Sequence, residues 1–131
     1  MLDERVEATK QQVRGAHADA AEAQSDLGGA ELGGQDLRGA VLAEVNLAGA
    51  NMVGAELAGA NLSRCNLAGV KLDRADLTGA YMYGVSMRAG ELTGANLENA
   101  VLQGSIIRNT TMTDANLHGV NIEWADLRGS Q

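Results

Sequence analysis

The stretch NLAGANMVGAELAGANLSRCNLAGV, residues 46–70, consists of five copies of one five-residue motif. The frame continues on both sides, because every fifth residue from Leu27 to Leu127 is Leu, Met or Ile. Five residues along an α-helix rotate a side chain by about 140°, and an odd step along a straight strand reverses its face. Neither element gives all these positions one environment. A chain that bends in the same sense after every pentad does so, and the period therefore predicts a solenoid.

The other positions of the pentad predict a second inward residue beside the central one, and a corner. Two residues before each central residue the side chain is small, most often Ala, and two residues after it Gly predominates. Gly at a recurrent corner indicates positive φ or a close approach of backbone. The position before the central residue is mostly Asp, Asn or Glu, which predicts outer surface. Gln35 and Gly90 break the inward column. Gln35 is expected either to meet an N-terminal cap helix or a backbone group, or to mark local strain or a bulge, and Gly90 is expected to leave a gap beside Met87 and Leu92.

Four segments carry a resemblance to a known family: ADLTG (75–79), ANLEN (95–99), ANLHG (115–119) and ADLRG (125–129). They resemble the A(D/N)LxX motif of the pentapeptide-repeat family, and the frame covers residues 25–129. The resemblance implies an all-β solenoid, a right-handed quadrilateral β-helix with four pentads per coil. The central residue and the small residue before it point inward. The chain then forms about five coils, roughly 25 Å long at a strand-like spacing of about 4.8 Å.

Residues 1–24 lack the pentad frame, so the chain divides into this N-terminal segment and a β-helix domain over 25–131. Apolar residues recur there at spacings of three and four among good helix formers, which predicts an amphipathic α-helix. The helix is expected to cap the first coil, because an open β-helix end exposes unpaired backbone groups. A partner-binding or coiled-coil helix and a frayed tail are the alternatives.

Composition limits the classes of function. The net charge is −7, which gives no electrostatic basis for binding nucleic acid directly or an anionic membrane. The single cysteine, Cys65, excludes an intrachain disulfide and fits a reducing compartment. No signal-peptide pattern and no apolar run of transmembrane length is present in the sequence. The expectation is a soluble, cytoplasmic protein.

No catalytic, cofactor or metal site is predicted. His17 and His118 have no metal-ligand spacing around them, and Cys65 occupies an inward column, which predicts a buried, inert thiol. The carboxylates belong to the repeated frame, and nothing pairs one of them with a base. The protein is therefore expected to be non-enzymatic.

Two features of the repeats are candidate contact surfaces on the sides. Tyr81 and Tyr83 flank the inward Met82 and are expected to point outward on one side. Residues twenty apart align in columns, which predicts two charged ladders: Asp36, Glu56, Asp76 and Arg88, Arg108, Arg128. The ladders are either solvated faces with partners in neighbouring columns or charged stripes that bind a partner.

The C-terminal coil is a further candidate surface. Only Ser130 and Gln131 follow the last pentad, so this coil is expected to be open and to expose apolar residues: Met112, Leu117, Ile122 and Leu127. Trp124 stands at an outward corner of the same coil and is a candidate interface anchor. Similar pentapeptide-repeat proteins often dimerise through their C-terminal coils, which implies a homodimer. The alternative is a monomer whose last coil frays.

Two functions remain open. The first is a non-enzymatic structural or protein-interaction module, a rigid rod with flat faces for a protein partner. The resemblance implies the second: a DNA-mimicking regulator of a type II topoisomerase (DNA gyrase), of the quinolone- or toxin-protection type. Members of that type often carry Phe at the central position, and this chain has no Phe. Twelve acidic and seven basic residues also leave residues 25–129 at −5, which imitates DNA poorly and favours the interaction module.

Overall fold

A computed structural model describes residues 26–131, and the helix expected over residues 1–24 lies outside the described residues. Parallel β-bridges join residues that are twenty positions apart, from Asp26↔Asn46 to Ile106↔Asp126. Twenty residues are four pentads, so the register confirms a solenoid with four sides per coil. We number the sides by their central residues, and the coils by their first residues Asp26, Asn46, Asn66, Ser86 and Ile106. The sides are side 1 (Leu27, Leu47, Leu67, Met87, Ile107, Leu127), side 2 (Leu32, Leu72 and their column), side 3 (Leu37, Leu57, Leu77, Leu97, Leu117) and side 4 (Leu42, Leu62, Met82, Leu102, Ile122).

Two longer strands lie on side 1, β1 (Ser86–Arg88) and β2 (Ile106–Arg108), and they pair in parallel with Met87 opposite Ile107. Elsewhere each side contributes a single bridge, because a turn starts at the central residue. In one such turn the Leu57 carbonyl accepts the N–H of Ala60 at 3.0 Å, and Gly59 between them has φ 68°. A bonded turn with positive φ only at its third residue is a type II turn. The all-β prediction therefore holds as a ladder of bridges.

The core is a column of central side chains with small residues between them. Central residues from Leu27 to Ile107 are buried, together with the small inward residues that precede them. The gap predicted at Gly90 is wrong. A side chain there would meet Met87 Cγ at 2.6 Å and Met87 Sδ at 2.7 Å, because Met87 already fills the space. Gln35 is partly buried.

Backbone hydrogen bonds follow the same twenty-residue register. The N–H of Leu57 donates to Asp76 O at 2.7 Å, and the N–H of Gly59 donates to Thr78 O at 2.9 Å in the next coil. In the other direction, the N–H of Asn61 donates to Ala40 O at 2.8 Å in the coil before. A regular pentad with a coil on each side then has one N–H left over, that of the residue just after the central one.

Asp and Asn side chains satisfy this leftover N–H. Wherever the residue before the central position is Asp or Asn, its Oδ1 accepts the N–H two residues on, at 2.9 to 3.2 Å. We call this contact the side-chain cap. The capping residues are Asp26, Asp36, Asn46, Asn51, Asn61, Asn66, Asp76, Asn96, Asn116, Asn121 and Asp126. The sequence assigned this column to the outer surface, and the structure adds that it completes the backbone bonding.

Removing one side-chain cap is expected to destabilise the coil measurably. Asn61→Ala takes the acceptor from the N–H of Ser63, which it binds at 3.0 Å, and we expect a loss of about 0.5–1.5 kcal/mol in unfolding free energy. Lys71→Ala is the control, because exposed Lys71 has the same pentad position without a cap. It is expected to change stability by less than about 0.5 kcal/mol. Equal effects in urea denaturation would contradict a stabilising role for the cap.

Candidate interaction surfaces

The two tyrosines lie on side 4 with their rings exposed, as the sequence indicates. Tyr81 is 55% exposed and Tyr83 is 45% exposed, and both flank the buried Met82. Tyr81 bridges to Asn61 in the coil before and to Val101 in the coil after. The guanidinium of Arg64 lies 5.8 Å from the centre of the Tyr83 ring, a cation–π contact.

The acidic ladder forms a column on side 3, with bridges Asp36↔Glu56 and Glu56↔Asp76. Two of its carboxylates have partners within their own pentads. Arg38 Nε and Nη2 each donate to the Asp36 carboxylate at 2.9 Å, and this pairing raises the pKa of the Arg38 guanidinium. Asp76 accepts the Thr78 hydroxyl at 2.6 Å. Partners within the pentads therefore reduce the negative field of this column.

The arginine ladder lies at the outer edge of side 1, with Arg88 directly opposite Arg108. Arg108 and Arg128 both pair with the Asp126 carboxylate, at 2.6 and 2.8 Å. Hydrogen bonds from Arg128, and then from Arg108, hold the pKa of Asp126 well below its usual range. Among residues 26–131, the exposed Arg88 has no carboxylate within ion-pair distance. The column thus carries an excess of positive charge.

The last described coil exposes two of the four apolar residues that were expected to be open there, and the expectation is wrong for the other two. Leu117 and Ile122 are 43% and 48% exposed, whereas Met112 and Leu127 are partly buried against the core. Residues 126–131 cover part of side 1: the Gln131 N–H donates to Thr110 O, and Gln131 O accepts the N–H of Met112. The part of this coil that residues 126–131 leave uncovered therefore lies on sides 3 and 4.

Trp124 stands at the corner of side 4 in this coil and is 81% exposed. Its indole N–H donates to Glu123 Oε1 at 2.8 Å. Its φ is 64°, a left-handed conformation that costs a residue with a Cβ about 1–2 kcal/mol. Seven other non-glycine residues of the described range share this corner conformation, so it is the exposure of a large aromatic side chain that makes Trp124 a candidate contact residue.

Cys65 faces the core, as the sequence indicates. Its thiol donates to Leu42 O at 2.9 Å, and burial raises its pKa from 9.0 to about 12. Among the residues described, no group of His, Cys, Asp and Glu could hold a metal ion. A search of that same range finds no helix long and apolar enough to cross a bilayer.

The buried thiol is expected to resist alkylation. At pH 8 iodoacetamide should leave Cys65 unmodified in the native protein and label it fully after unfolding in guanidinium, because the thiolate is the nucleophile. Since the folded pKa is the higher one, the thiol contributes stability below pH 9 that is lost as the pH rises towards 12. Labelling of the native protein at the rate of the unfolded chain would contradict the inward placement.

Three residues beside the tyrosines were not identified from the sequence. Val101 continues the column of Tyr81, Ile106 is 36% exposed at the start of the adjoining side 1, and Arg64 contacts Tyr83. The signal that could have found Val101 and Ile106 is apolar character in a column otherwise rich in Asp and Asn. That signal is visible only once the column is known to cap the backbone.

The repeats match a known protein family. Residues 25–64, 60–99 and 91–129 match a family model described as "Pentapeptide repeats (8 copies)". A search of curated proteins gave no match.

Several solved structures are similar to the chain. HetL, a pentapeptide repeat protein involved in heterocyst differentiation regulation from the cyanobacterium Nostoc sp. strain PCC 7120, is 26% identical, with a TM-score of 0.59 over 82% of this chain and 61% of that one. A pentapeptide repeat protein from the Arabidopsis thaliana thylakoid lumen is 35% identical, with a TM-score of 0.56 over 72% and 63%. QnrB1, a plasmid-mediated fluoroquinolone resistance protein, is 17% identical, with a TM-score of 0.36 over 82% and 60%.

The similar structures are longer than this chain and share its architecture. The chain spans about three-fifths of the length of the structures it matches. Pentapeptide repeat structures are right-handed quadrilateral β-helices, which is the four-sided architecture that the register describes here.

Proposed function

Because the chain belongs to the pentapeptide repeat family, we propose that it is a non-enzymatic interaction module, a rigid β-helical rod that presents flat sides to a protein partner. The observation that carries the proposal is the exposed pair Tyr81 and Tyr83 on side 4. Tyrosine is enriched in protein–protein interfaces, and solenoids bind partners through extended surfaces. HetL, to which the chain is similar, is involved in heterocyst differentiation regulation, and a regulatory role of that kind fits an interaction module.

Side-specific cross-linking tests this proposal. A photo-reactive benzoylphenylalanine at position 83 is expected to give a covalent adduct of discrete mass with a partner protein in cells that make the protein naturally. The same residue at position 58 is the matched control, because Ala58 has the same pentad position on side 3. Adducts from neither position, or identical adducts from both, would contradict an interaction through side 4.

The acidic ladder is the one observation that favours the alternative, a DNA-mimicking regulator of DNA gyrase. Its acidic residues span only three coils, and Arg38 neutralises Asp36. An imitation of a phosphate backbone needs a long, uncompensated negative stripe, so the geometry supports the interaction module better. A gyrase supercoiling assay separates the two: inhibition, or relief of quinolone-stabilised cleavage, would support the alternative.

The rod is further proposed to act in the cytoplasm as a homodimer joined at its C-terminal coils. The exposed Leu117 and Ile122, with the strained and exposed Trp124, support this mode of assembly. No substrate or cofactor enters the proposal, since assembly and partner binding use only the outer surface.

A further inference from the structure

An apolar patch crosses the corner between side 4 and side 1. It consists of Tyr81, Tyr83, Val101 and Ile106, which we call the tyrosine patch. Tyr81 and Val101 are bridged in adjacent coils, and Ile106 begins the next side, two residues after Gly104. Tyr83 leans towards the same corner, since a side chain on Gly104 would lie 3.9 Å from Tyr83 Cε2. The four side chains therefore lie around one corner, between side 4 and side 1.

The backbone under the patch lacks its side-chain caps. Tyr81 and Val101 occupy positions where Asp or Asn accepts the N–H two residues on, as Asn61 and Asn121 do in the same column. Within residues 26–131, the N–H groups of Tyr83 and Gln103 consequently donate to no protein acceptor. In the pentads that Asp or Asn caps, an outward side chain reaches this N–H, so both donors face outward; the pentads of Val41, Glu56 and Lys71 leave the same N–H uncapped as well. The donors of Tyr83 and Gln103 lie in consecutive coils, about 4.8 Å apart.

The charge around the patch is positive although the protein is acidic overall. Arg64 lies over Tyr83, and Arg88 is exposed on side 1 without a carboxylate partner among the described residues. Arg108 and Arg128 share the single carboxylate of Asp126. A partner that covers the patch thus meets apolar rings, two backbone donors and arginines in excess of carboxylates.

We propose that the tyrosine patch binds an extended protein segment that carries carboxylates beside apolar side chains. A carboxylate of the segment accepts the N–H groups of Tyr83 and Gln103, as Asp and Asn do in the capped pentads. Arg64 and Arg88 pair with further acidic side chains, and apolar side chains cover Val101 and Ile106. This inference rests on the proposed interaction function and specifies the chemistry of its partner.

A single-stranded nucleic acid also offers anionic groups and rings that stack on tyrosine. The observations favour a protein segment, because a net charge of −7 repels a polyanion, which would extend beyond the few arginines around the patch. A protein segment places a few carboxylates there and leaves its uncharged length against the remaining surface.

Peptide selection tests the partner's chemistry. A phage-displayed library of random twelve-residue peptides is selected on the full chain and counter-selected on the Tyr81→Ser/Tyr83→Ser variant. We expect enrichment of peptides that combine Asp or Glu with Leu, Phe or Trp. A synthetic peptide from the selection should bind about tenfold more weakly to Arg88→Glu, and its affinity should fall as salt is raised. Val53→Ser and Arg74→Glu on side 2 are the matched controls and should leave the affinity unchanged.

The outcomes are decisive in both directions. Three results would each overturn the proposal. They are the enrichment of basic or uncharged peptides, selected peptides that bind the Tyr81→Ser/Tyr83→Ser variant as tightly as the native chain, and tighter binding of a twelve-nucleotide oligothymidine. Thermal melting confirms that the variants are folded, which their exposed positions predict. A side-specific adduct from position 83 together with a failed selection would contradict the acidic partner and leave the interaction module intact.

Discussion

Leu77→Ala is expected to lower the free energy of unfolding by about 2–5 kcal/mol. Leu77 is the central residue of side 3 in the third coil, and its side chain is completely buried. Its N–H bonds to Asn96 O in the next coil, and Asp76 O accepts the N–H of Leu57 in the coil before. The substitution therefore leaves a cavity in the middle of a narrow core, between Leu57 and Leu97.

Urea denaturation followed by circular dichroism measures this loss. Leu117→Ala is the control in the same column: because Leu117 is 43% exposed in the last described coil, this variant should lose less stability, about 1 kcal/mol. An unchanged midpoint for Leu77→Ala, or equal losses for the two variants, would mean that the inward assignment of the central residue is wrong.

Trp124→Glu is expected to convert a homodimer into a monomer, halving the mass in solution. The proposed contact joins the exposed Leu117, Ile122 and Trp124 of one protomer to the same surface of a second copy. A carboxylate in the centre of such a contact would be buried without a partner, which costs several kcal/mol. The change removes no core packing, because the indole is exposed and bonds only to the neighbouring Glu123.

Light scattering at micromolar concentration gives the mass of each variant. Arg64→Glu is the matched control, since Arg64 occupies the same corner of side 4 in the second coil and has a similar φ of 58°. It should leave the dimer intact. A monomeric native protein would contradict the proposal, as would a dimer that survives Trp124→Glu and is lost when residues 1–24 are removed.

The repeat itself could be predicted because every pentad gives the same information. The central column, the small inward column and the Gly corner each have one steric requirement, so the period alone assigns inside, outside and turn. The twenty-residue columns follow from four pentads per coil. They place Tyr81, Tyr83 and both charged ladders on the sides where the structure has them.

Features that depend on hydrogen bonds between columns could not be predicted in the same way. The Asp and Asn column looks like any solvent-exposed polar face until the N–H that it caps is located. For this reason the missing caps at Tyr81 and Val101 could not be recognised from the sequence, although the exposure of Tyr81 could. Gly90 looked like a gap because the conformation of Met87, which fills it, is set by three-dimensional packing.

Residues 81–90 and 105–114 match the repeat least well, and this irregularity has a structural cause. They hold β1 and β2, where the chain stays extended for three residues instead of turning after a single bridge. Hydroxyl side chains replace the turn bonds there: Ser130 Oγ donates to Ile107 O at 2.6 Å, and the Thr110 N–H donates to Ser130 Oγ at 3.2 Å. A departure from the repeat thus marked a different turn, whose geometry the sequence did not specify.

The assignment of every side, ladder and patch depends on the register of four pentads per coil. Scalar couplings across hydrogen bonds, measured by NMR on labelled protein, test that register directly. They should connect the amide nitrogen of Leu57 to the carbonyl carbon of Asp76, and that of Leu77 to Asn96, nineteen residues on in both cases. Couplings at any other spacing from these amides would contradict the four-sided solenoid.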